Sequence, residues 1–267
     1  MSTKPPPTHV LEAFGGRGRP QLLSGGQGTT WLCGDLVLKP GVGDVETWLV
    51  EVIEGMEQTG FRCADPVRTR GGEVACDGWM AQRRLAGRDA DLSDRTTWLP
   101  VLEGGRAFHR AVAKVPRPSF LDSRHDWWAR ADRLAWAEER PAVTGVLAPV
   151  ARRLATMQAP LGESQLVHAD LTGNVMLAAG QPPAIIDISP YWRPPSYAEG
   201  VVVADLLMWW GADRHFLEDT AVPVPAVARA LLFRLLTTQA MVEAGVAGLD
   251  LHDEAARHER ATRILGV

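Results

Sequence analysis

Residues 167–175 read Val-His-Ala-Asp-Leu-Thr-Gly-Asn-Val, a polar loop between two short apolar runs. The loop places His168, Asp170 and Asn174 within seven positions of one another. An aspartate can accept the proton of an attacking hydroxyl, and an asparagine carbonyl can ligate magnesium without adding negative charge. We therefore predict Asp170 as the catalytic base and Asn174 as a metal ligand, with His168 as a loop-stabilising residue.

A second carboxylate follows the apolar run 184–186, where Asp187 stands at its end. Magnesium is usually held by one or two carboxylates together with water and substrate oxygens. A single aspartate on a loop more often forms a turn or caps a helix, so the assignment depends on the two sites occurring together. We predict Asp187 as the second metal ligand.

Three short apolar runs upstream, 21–23, 29–33 and 36–39, are separated by turn residues and predict three antiparallel strands. The first turn, Ser-Gly-Gly-Gln-Gly-Thr over 24–29, can present backbone N–H groups to phosphates. The third strand ends at Lys39. Asp44 is the predicted N-cap of a helix over 45–58.

The combination of His168-Ala169-Asp170 with Asn174, followed by Ile186-Asp187, resembles the catalytic and metal-binding motifs of aminoglycoside phosphotransferases and eukaryotic-like kinases. The resemblance extends over roughly residues 20–210. It implies an α+β, bilobal protein-kinase-like fold with a small β-rich N-lobe and a larger helical C-lobe. The expected divisions are an N-terminal arm over 1–20, the N-lobe over 21–82 and the C-lobe over 83–267.

The same resemblance implies a nucleotide site for ATP or GTP, with Mg²⁺. Lys39 would pair with the α and β phosphates, and Glu46 would orient it, with Glu51 as the competitor. Asp205 would steady the catalytic loop by accepting backbone hydrogen bonds. The predicted nucleotide-binding residues are Gly25, Gly26, Gln27, Gly28, Thr29, Lys39, Glu46, Met80, Ala81 and Gln82, the last three in a connection between lobes.

Two departures from the family pattern narrow the function. Three residues separate Asp170 from Asn174, where the family usually has four. Asp187-Ile188-Ser189 replaces Asp-Phe-Gly, and the short interval to Asp205 leaves little room for an activation segment, which disfavours a protein substrate. We therefore predict phosphoryl transfer to a hydroxyl of a small molecule; the alternative is a nucleotide-sensing pseudokinase without turnover.

Composition restricts the partners. The formal net charge of −4 lacks the basic excess of a nucleic-acid-binding domain, and 46% hydrophobic residues can form a substantial core. Three cysteines without paired spacing indicate reduced thiols rather than a disulfide framework or zinc. With no apolar signal or span in the sequence, we expect a cytoplasmic protein without a membrane or nucleic-acid partner.

The second half of the chain is predicted to be mainly helical. The expected helices cover 98–114, 127–139, 145–157, 204–210 and 224–244. The pairs Trp127-Trp128 and Trp209-Trp210 suit a helical core better than a stacking platform for a substrate ring. The acidic residues of the tail, 250–263, fit either recognition of cationic groups or a solvated helix face.

Overall fold

A computed structural model describes residues 4–23, 28–138 and 143–266. The helices are α1 Thr8–Ala13, α2 Asp44–Gly55, α3 Trp98–Ala111, α4 Trp127–Ala135, α5 Ala148–Thr156, α6 Pro195–Trp209, α7 Arg214–Thr220, α8 Val224–Glu243 and α9 Leu251–Ile264. The strands are β1 Gln21–Leu22, β2 Trp31–Cys33, β3 Leu36–Pro40, β4 Arg62–Cys63, β5 Pro66–Val67, β6 Trp79–Arg83, β7 Arg88–Asp89, β8 Gln165–His168, β9 Val175–Leu177, β10 Ala184–Ile185 and β11 Pro190–Arg193. The predicted α+β class is confirmed.

The first compact unit comprises the residues up to Asp89 together with Asn174–Ile188. Its larger sheet has the order β1-β2-β3-β6-β5, and every pair in it is antiparallel. A smaller sheet has the order β4-β10-β9-β7, in which β10 runs parallel to β4. Strands from distant parts of the sequence therefore build this unit.

One face of the five-stranded sheet is covered by α1. Val10 and Phe14 of this region pack with Leu36, Leu38 and Ala81 in a buried apolar cluster. The N-terminal arm predicted over 1–20 therefore contains a helix that is docked on the sheet. Burial of these side chains supplies the apolar contact that a six-residue helix needs, since such a helix is not stable alone.

The second unit comprises Ala90–Gly173 and the residues from Ser189 onward. Its core is the packing of α6 on α8, two helices whose inward and outward faces are both largely buried. Gly200 permits their close approach, because a Cβ at this position would lie 2.6 Å from backbone atoms of Ala226. The two-stranded sheet of β8 and β11 lies beside α3 and α6.

The start of α2 differs from the prediction. Its N-cap is Gly43 rather than Asp44, and the Glu46 carboxylate accepts a hydrogen bond from the Gly43 N–H at 2.9 Å. A glutamate at the third helical position satisfies an N–H that the helix leaves without an internal partner. The prediction of Asp44 as the cap is therefore wrong.

The structure contains elements that the sequence analysis missed. α7 and β11 had no predicted counterpart, and α6 begins nine residues before the predicted start at 204. Trp128, Trp209 and Trp210 are 39%, 45% and 42% exposed, so the expectation that the tryptophan pairs lie in a core is wrong for these three residues. The predicted lobe ranges stay a prediction; the compact units are composed differently, since Asn174–Ile188 packs with the N-terminal residues.

Within the described ranges, no single helix has the length and apolar composition needed to cross a membrane. One bent pair, Arg214–Thr220 with Val224–Glu243, passes on length and composition only.

Candidate active site

Two of the predicted site residues come together at the ends of β9 and β10, the two inner strands of the smaller sheet. β9 and β10 are antiparallel, with Val175 opposite Ile185. The pairing continues one step further, where the Ile186 N–H donates to the Asn174 carbonyl at 3.0 Å. Asn174 therefore lies beside the backbone that leads directly into Asp187. The two predicted metal ligands are brought together by strand register, although 13 positions separate them in the sequence.

Asp187 has a left-handed backbone, with φ of +47°. This conformation is unusual for a residue other than glycine and clusters at functional sites. Its carboxylate forms an ion pair with the Lys39 ammonium. Lys39 reaches this position from β3, where it lies opposite Met80 of β6. The structure therefore unites Lys39, Asn174 and Asp187 within the first unit.

Glu46 and Lys39 line the same cavity of about 270 Å³, together with Asp187 and Met80. The predicted partner of Lys39 was Glu46, but Lys39 pairs with Asp187, and Glu46 binds the Gly43 N–H of its own helix. Glu51, the competing candidate, is exposed and does not line this cavity. Glu46, unlike Glu51, therefore lies at the cavity that Lys39 also lines. The predicted contact between Glu46 and Lys39 is not formed in this structure.

A second cavity of about 250 Å³ shares Lys39, Gln82 and Asp187 with the first. The segment after β6 contributes Arg84 and Leu85 to its wall. Both of these residues were missed, because the sequence analysis placed the nucleobase beside 80–82. Further lining residues that it missed are Leu23, Thr30, Val37 and Met176.

The three predicted nucleobase residues do not share one face. Met80 and Gln82 line the first cavity, whereas Ala81 is buried in the apolar cluster on the face of the sheet that α1 covers. Successive residues of a strand point to opposite faces, which separates Ala81 from its two neighbours. These residues form β6 inside the first unit; the chain enters the second unit after Asp89.

Only part of the glycine loop can be located. Gly25, Gly26 and Gln27 lie outside the described residues. Gly28 adopts φ of +72°, a conformation that suits glycine, and precedes Thr29. The loop closes where the Leu23 N–H donates to the Thr30 carbonyl at 2.9 Å, and both of these residues line the second cavity.

Buried histidines hold the start of the predicted catalytic loop in the second unit. His168 is fully buried, and its Nδ1 accepts from the Ser189 N–H at 3.2 Å. Its backbone N–H donates to Nε2 of His109 at 3.1 Å. Burial, and then the neighbouring His168, lowers the pKa of His109 to about 3, so His109 stays neutral and can accept this bond. His168 thus stabilises the loop by accepting a backbone hydrogen bond, as predicted.

Gly105 of α3 gives the loop its position on the helix. Leu171, which follows Asp170, is buried, and a Cβ at Gly105 would lie 2.3 Å from its Cδ1. Glycine at this point of α3 therefore leaves the space that Leu171 occupies. The residue directly after the predicted base is in this way anchored in the core.

Asp170 forms an ion pair with Arg234 of α8, at 2.9 Å. The same nitrogen of Arg234 lies 2.6 Å from Asp205, whose carboxylate also accepts from the Thr172 hydroxyl at 2.5 Å. Burial works to lower the pKa of Arg234, but Asp205 and then Asp170 outweigh it and raise that pKa. Asp205 therefore steadies the loop through side chains of Thr172 and Arg234.

Arg234 was missed by the sequence analysis, although a signal was available. It stands in the apolar run Ala-Leu-Leu-Phe-Arg-Leu-Leu, over 230–236. An arginine inside an apolar helix is rarely buried unless it is paired. The position of Arg234 therefore indicated acidic partners, but not which ones.

The acidic residues of α9 are paired with arginines. Arg257 binds both Asp253 and Glu254, and Glu259 pairs with Arg153. Glu254 is largely buried. This part of the tail is therefore more than a solvated helix face, because its carboxylates hold the helix in place.

Solved structures resemble the chain over nearly its full length. An aminoglycoside phosphotransferase from Alicyclobacillus acidocaldarius subsp. acidocaldarius DSM 446 has a TM-score of 0.68 at 14% identity, with 99% of this chain and 96% of that chain covered. The chain has the aminoglycoside phosphotransferase fold. The resemblance seen in the sequence is therefore confirmed at the level of the fold.

Two further structures with this fold contain ligands. APH(4)-Ia, as a thermostable mutant in ternary complex with ADP and hygromycin B, has a TM-score of 0.59 at 15% identity, with 96% of each chain covered. Spectinomycin phosphotransferase APH(9)-Ia, in complex with ADP and spectinomycin, has a TM-score of 0.54 at 14% identity, with 92% of each chain covered. Neither a family profile nor a curated protein sequence matches the chain.

The side-chain oxygens of Asn174 and Asp187 are of the kind that binds a magnesium ion. Asp187 offers a carboxylate and Asn174 an amide oxygen, and hard cations such as Mg²⁺ prefer oxygen ligands. Mg²⁺ keeps several positions for water and phosphate, so two protein ligands suffice. Nowhere in the described residues do three or more His, Cys, Asp or Glu side chains form a metal-binding group.

Proposed function

We propose that the protein transfers the γ-phosphate of ATP or GTP to a hydroxyl of a small molecule. The observation that carries this proposal is the β9–β10 register, which places Asn174 beside the backbone of Asp187, while Asp187 pairs with Lys39. Lys39 and Asp187 line both cavities of the first unit. A cation, a carboxylate and an amide oxygen beside cavities of this size are the groups that bind a nucleoside triphosphate with magnesium.

In the proposed reaction, the acceptor oxygen forms a bond to the γ-phosphorus, and the bond from that phosphorus to the β–γ bridging oxygen breaks. The acceptor proton passes to the Asp170 carboxylate, and the nucleoside diphosphate leaves with the bridging oxygen. Asp170 suits this role because its side chain is 42% exposed, whereas Asp205 next to it is 3% exposed. Only Asp170 of this pair is accessible to an acceptor.

Lys39 would bind phosphate oxygens, and Asn174 and Asp187 would hold the metal. Magnesium, when bound, neutralises charge that develops on the phosphates. The Lys39–Asp187 ion pair is then exchanged for contacts with the nucleotide, and Lys39 becomes available to Glu46 in the shared cavity. The residues act mainly by placing the reactants and balancing charge.

The acceptor is proposed as a hydroxylated small molecule. Hygromycin B and spectinomycin are bound by proteins with the same fold. The sequence identity of 14–15% with these proteins supports the shared fold and does not identify the acceptor. The predicted cytoplasmic location likewise remains a prediction.

Release of ADP or GDP tests the proposal. Purified protein is incubated with Mg²⁺, ATP or GTP, and pools of hydroxylated acceptors that include hygromycin B, spectinomycin and simple sugars. We expect turnover by the wild type and its loss in Asp170→Asn, while nucleotide still raises the melting temperature of the variant. Asp219→Asn, an exposed aspartate of α7, is the matched control and should retain activity.

The same experiment tests the alternative of a pseudokinase. A wild type that is stabilised by nucleotide but never releases diphosphate more rapidly than Asp170→Asn would favour a sensor. Absence of stabilisation by either nucleotide would contradict both functions and leave the fold alone.

A further inference from the structure

A single arginine of α8 joins the proposed base to the second-unit core. Arg234 donates to Asp205 through two nitrogens, at 2.8 and 2.6 Å, and to Asp170 at 2.9 Å. Its side chain is only 13% exposed. We infer that Arg234 is a positioning residue, which fixes the direction of the Asp170 carboxylate for phosphoryl transfer. This inference rests on the proposed function.

The geometry of the guanidinium supports this role. One nitrogen, Nη2, donates to both carboxylates, so Asp170 and Asp205 are held at the same end of a single planar group. Arg234 donates to Asp205 through Nε and Nη2, and these two bonds fix the plane of the guanidinium. The plane in turn determines where the Asp170 oxygen that accepts from Nη2 must lie. A flexible lysine ammonium has no such fixed plane.

The charges support it as well. Two carboxylates that share one site repel each other unless a cation lies between them. Arg234 supplies this cation and leaves one net negative charge at the loop. Asp170 can thus lie next to Asp205 and still be held in one place.

The contacts also explain how a shortened loop keeps its shape. Three residues separate Asp170 from Asn174, and the second of them, Thr172, donates to the Asp205 carboxylate that Arg234 binds. Asp170 and Thr172 are therefore tied to the same Arg234–Asp205 pair. The intervening Leu171 is buried, so the loop is fixed at three successive residues.

The alternative is that Arg234 serves only to neutralise buried Asp205. The double variant Arg234→Met/Asp205→Asn separates the two roles, since it removes both charges, while an asparagine at 205 can still accept from Thr172. If Arg234 only neutralises Asp205, this variant should keep both stability and turnover. If Arg234 positions Asp170, it should fold and remain impaired.

The experiment measures kcat and KM for ADP release with Mg·ATP and the pooled hydroxylated acceptors. We expect kcat of the double variant to fall about 10- to 100-fold, with little change in the KM for Mg·ATP, and Arg234→Lys to recover part of the loss of Arg234→Met. Adding Asp170→Asn to the double variant should cause no loss beyond that of Asp170→Asn alone.

The control is Arg229→Met on the same helix. Arg229 is also buried, but it donates to backbone carbonyls, that of Ala135 at 2.8 Å and that of Ala159 at 3.3 Å, and it stacks on Trp136. None of these contacts involves Asp170 or Asp205. The variant should lower the melting temperature and leave kcat unchanged.

The outcomes distinguish failure of the proposed function from failure of the positioning role of Arg234. Equal ADP release by wild type and Asp170→Asn would overturn the proposed function. Activity that depends on Asp170 but is unchanged in Arg234→Met/Asp205→Asn would overturn only the positioning role. A double variant that fails to fold, as judged by circular dichroism, would also count against the inference, because it predicts that the charge-free pair is tolerated.

Discussion

At the scale of single residues, the buried histidines behind the catalytic loop couple its structure to pH. His109 is fully buried and accepts the His168 N–H, so its neutral form is the one that fits. Desolvation, and then His168, lowers the pKa of His109 to about 3 in the folded protein. The same group in the unfolded chain has an ordinary pKa near 6.5.

This difference predicts a loss of stability in acid. Below about pH 6.5 the unfolded chain binds a proton at residue 109 that the folded protein does not bind. The free energy of unfolding should therefore decrease as the pH falls from about 6.5 towards about 3, by up to about 1.4 kcal/mol per pH unit from this residue.

Chemical denaturation across this pH range measures the effect. His109→Gln keeps an acceptor for the His168 N–H but cannot titrate, so its stability should depend less steeply on pH than that of the wild type. His215→Gln, at an exposed position of α7, should retain the wild-type slope. Identical slopes for wild type and His109→Gln would contradict the assignment.

Some residues of the candidate site could be proposed from the sequence because they are close together in the chain. Asp170 and Asn174 lie on one loop, and Asp187 directly follows the apolar run 184–186. The contact between Arg234 and Asp170 spans 64 positions, and no local pattern encodes it. The orientation of Ala81 could have been predicted, since strand alternation alone separates it from Met80 and Gln82.

At the scale of elements, the contact between α6 and α8 depends on the absence of one side chain. A Cβ at Gly200 would lie 2.6 Å from the Ala226 carbonyl carbon and oxygen, and the backbone cannot move aside as a flexible side chain can. Alanine is the better helix former by about 1 kcal/mol, but overpacking costs about 1–3 kcal/mol and should prevail here.

Gly200→Ala should therefore lower the free energy of unfolding and the melting temperature. Gly55→Ala is the matched control, because Gly55 ends α2 and a Cβ there would meet no atom of the described residues within 4 Å, its own chain neighbours aside. That variant should be neutral or stabilising. A Gly200→Ala protein as stable as Gly55→Ala would show that the two helices can separate at little cost.

Element boundaries show where the sequence pattern was insufficient. β11 begins at Pro190 and is followed by Pro194, and prolines are unfavourable at most positions of a strand, yet β11 pairs residue by residue with β8. A proline is tolerated at the first residue of a strand, where a missing N–H can be accommodated. The cap of α2 was misplaced because the Glu46 side chain, rather than Asp44, satisfies the terminal N–H.

At the scale of the whole chain, the proposed nucleotide-binding residues and the proposed base belong to different compact units. Lys39, Asn174 and Asp187 belong to the first unit, together with both cavities proposed for the nucleotide. Asp170, Arg234 and Asp205 belong to the second. Nucleotide and magnesium should therefore bind chiefly to residues of the first unit.

Hydrogen exchange read by mass spectrometry tests this division. With Mg²⁺ and ATP or GTP, amides in peptides that cover 28–41, 79–89 and 174–188 should exchange more slowly, because ligand binding suppresses their local opening. Peptides of α8 should change little, since that helix is already buried. Lys39→Met should abolish the protection by weakening the phosphate contact, whereas Lys114→Met, on a lysine that lines neither cavity, should preserve it. Protection in α8 without protection in 174–188 would place the nucleotide elsewhere and contradict the proposed site.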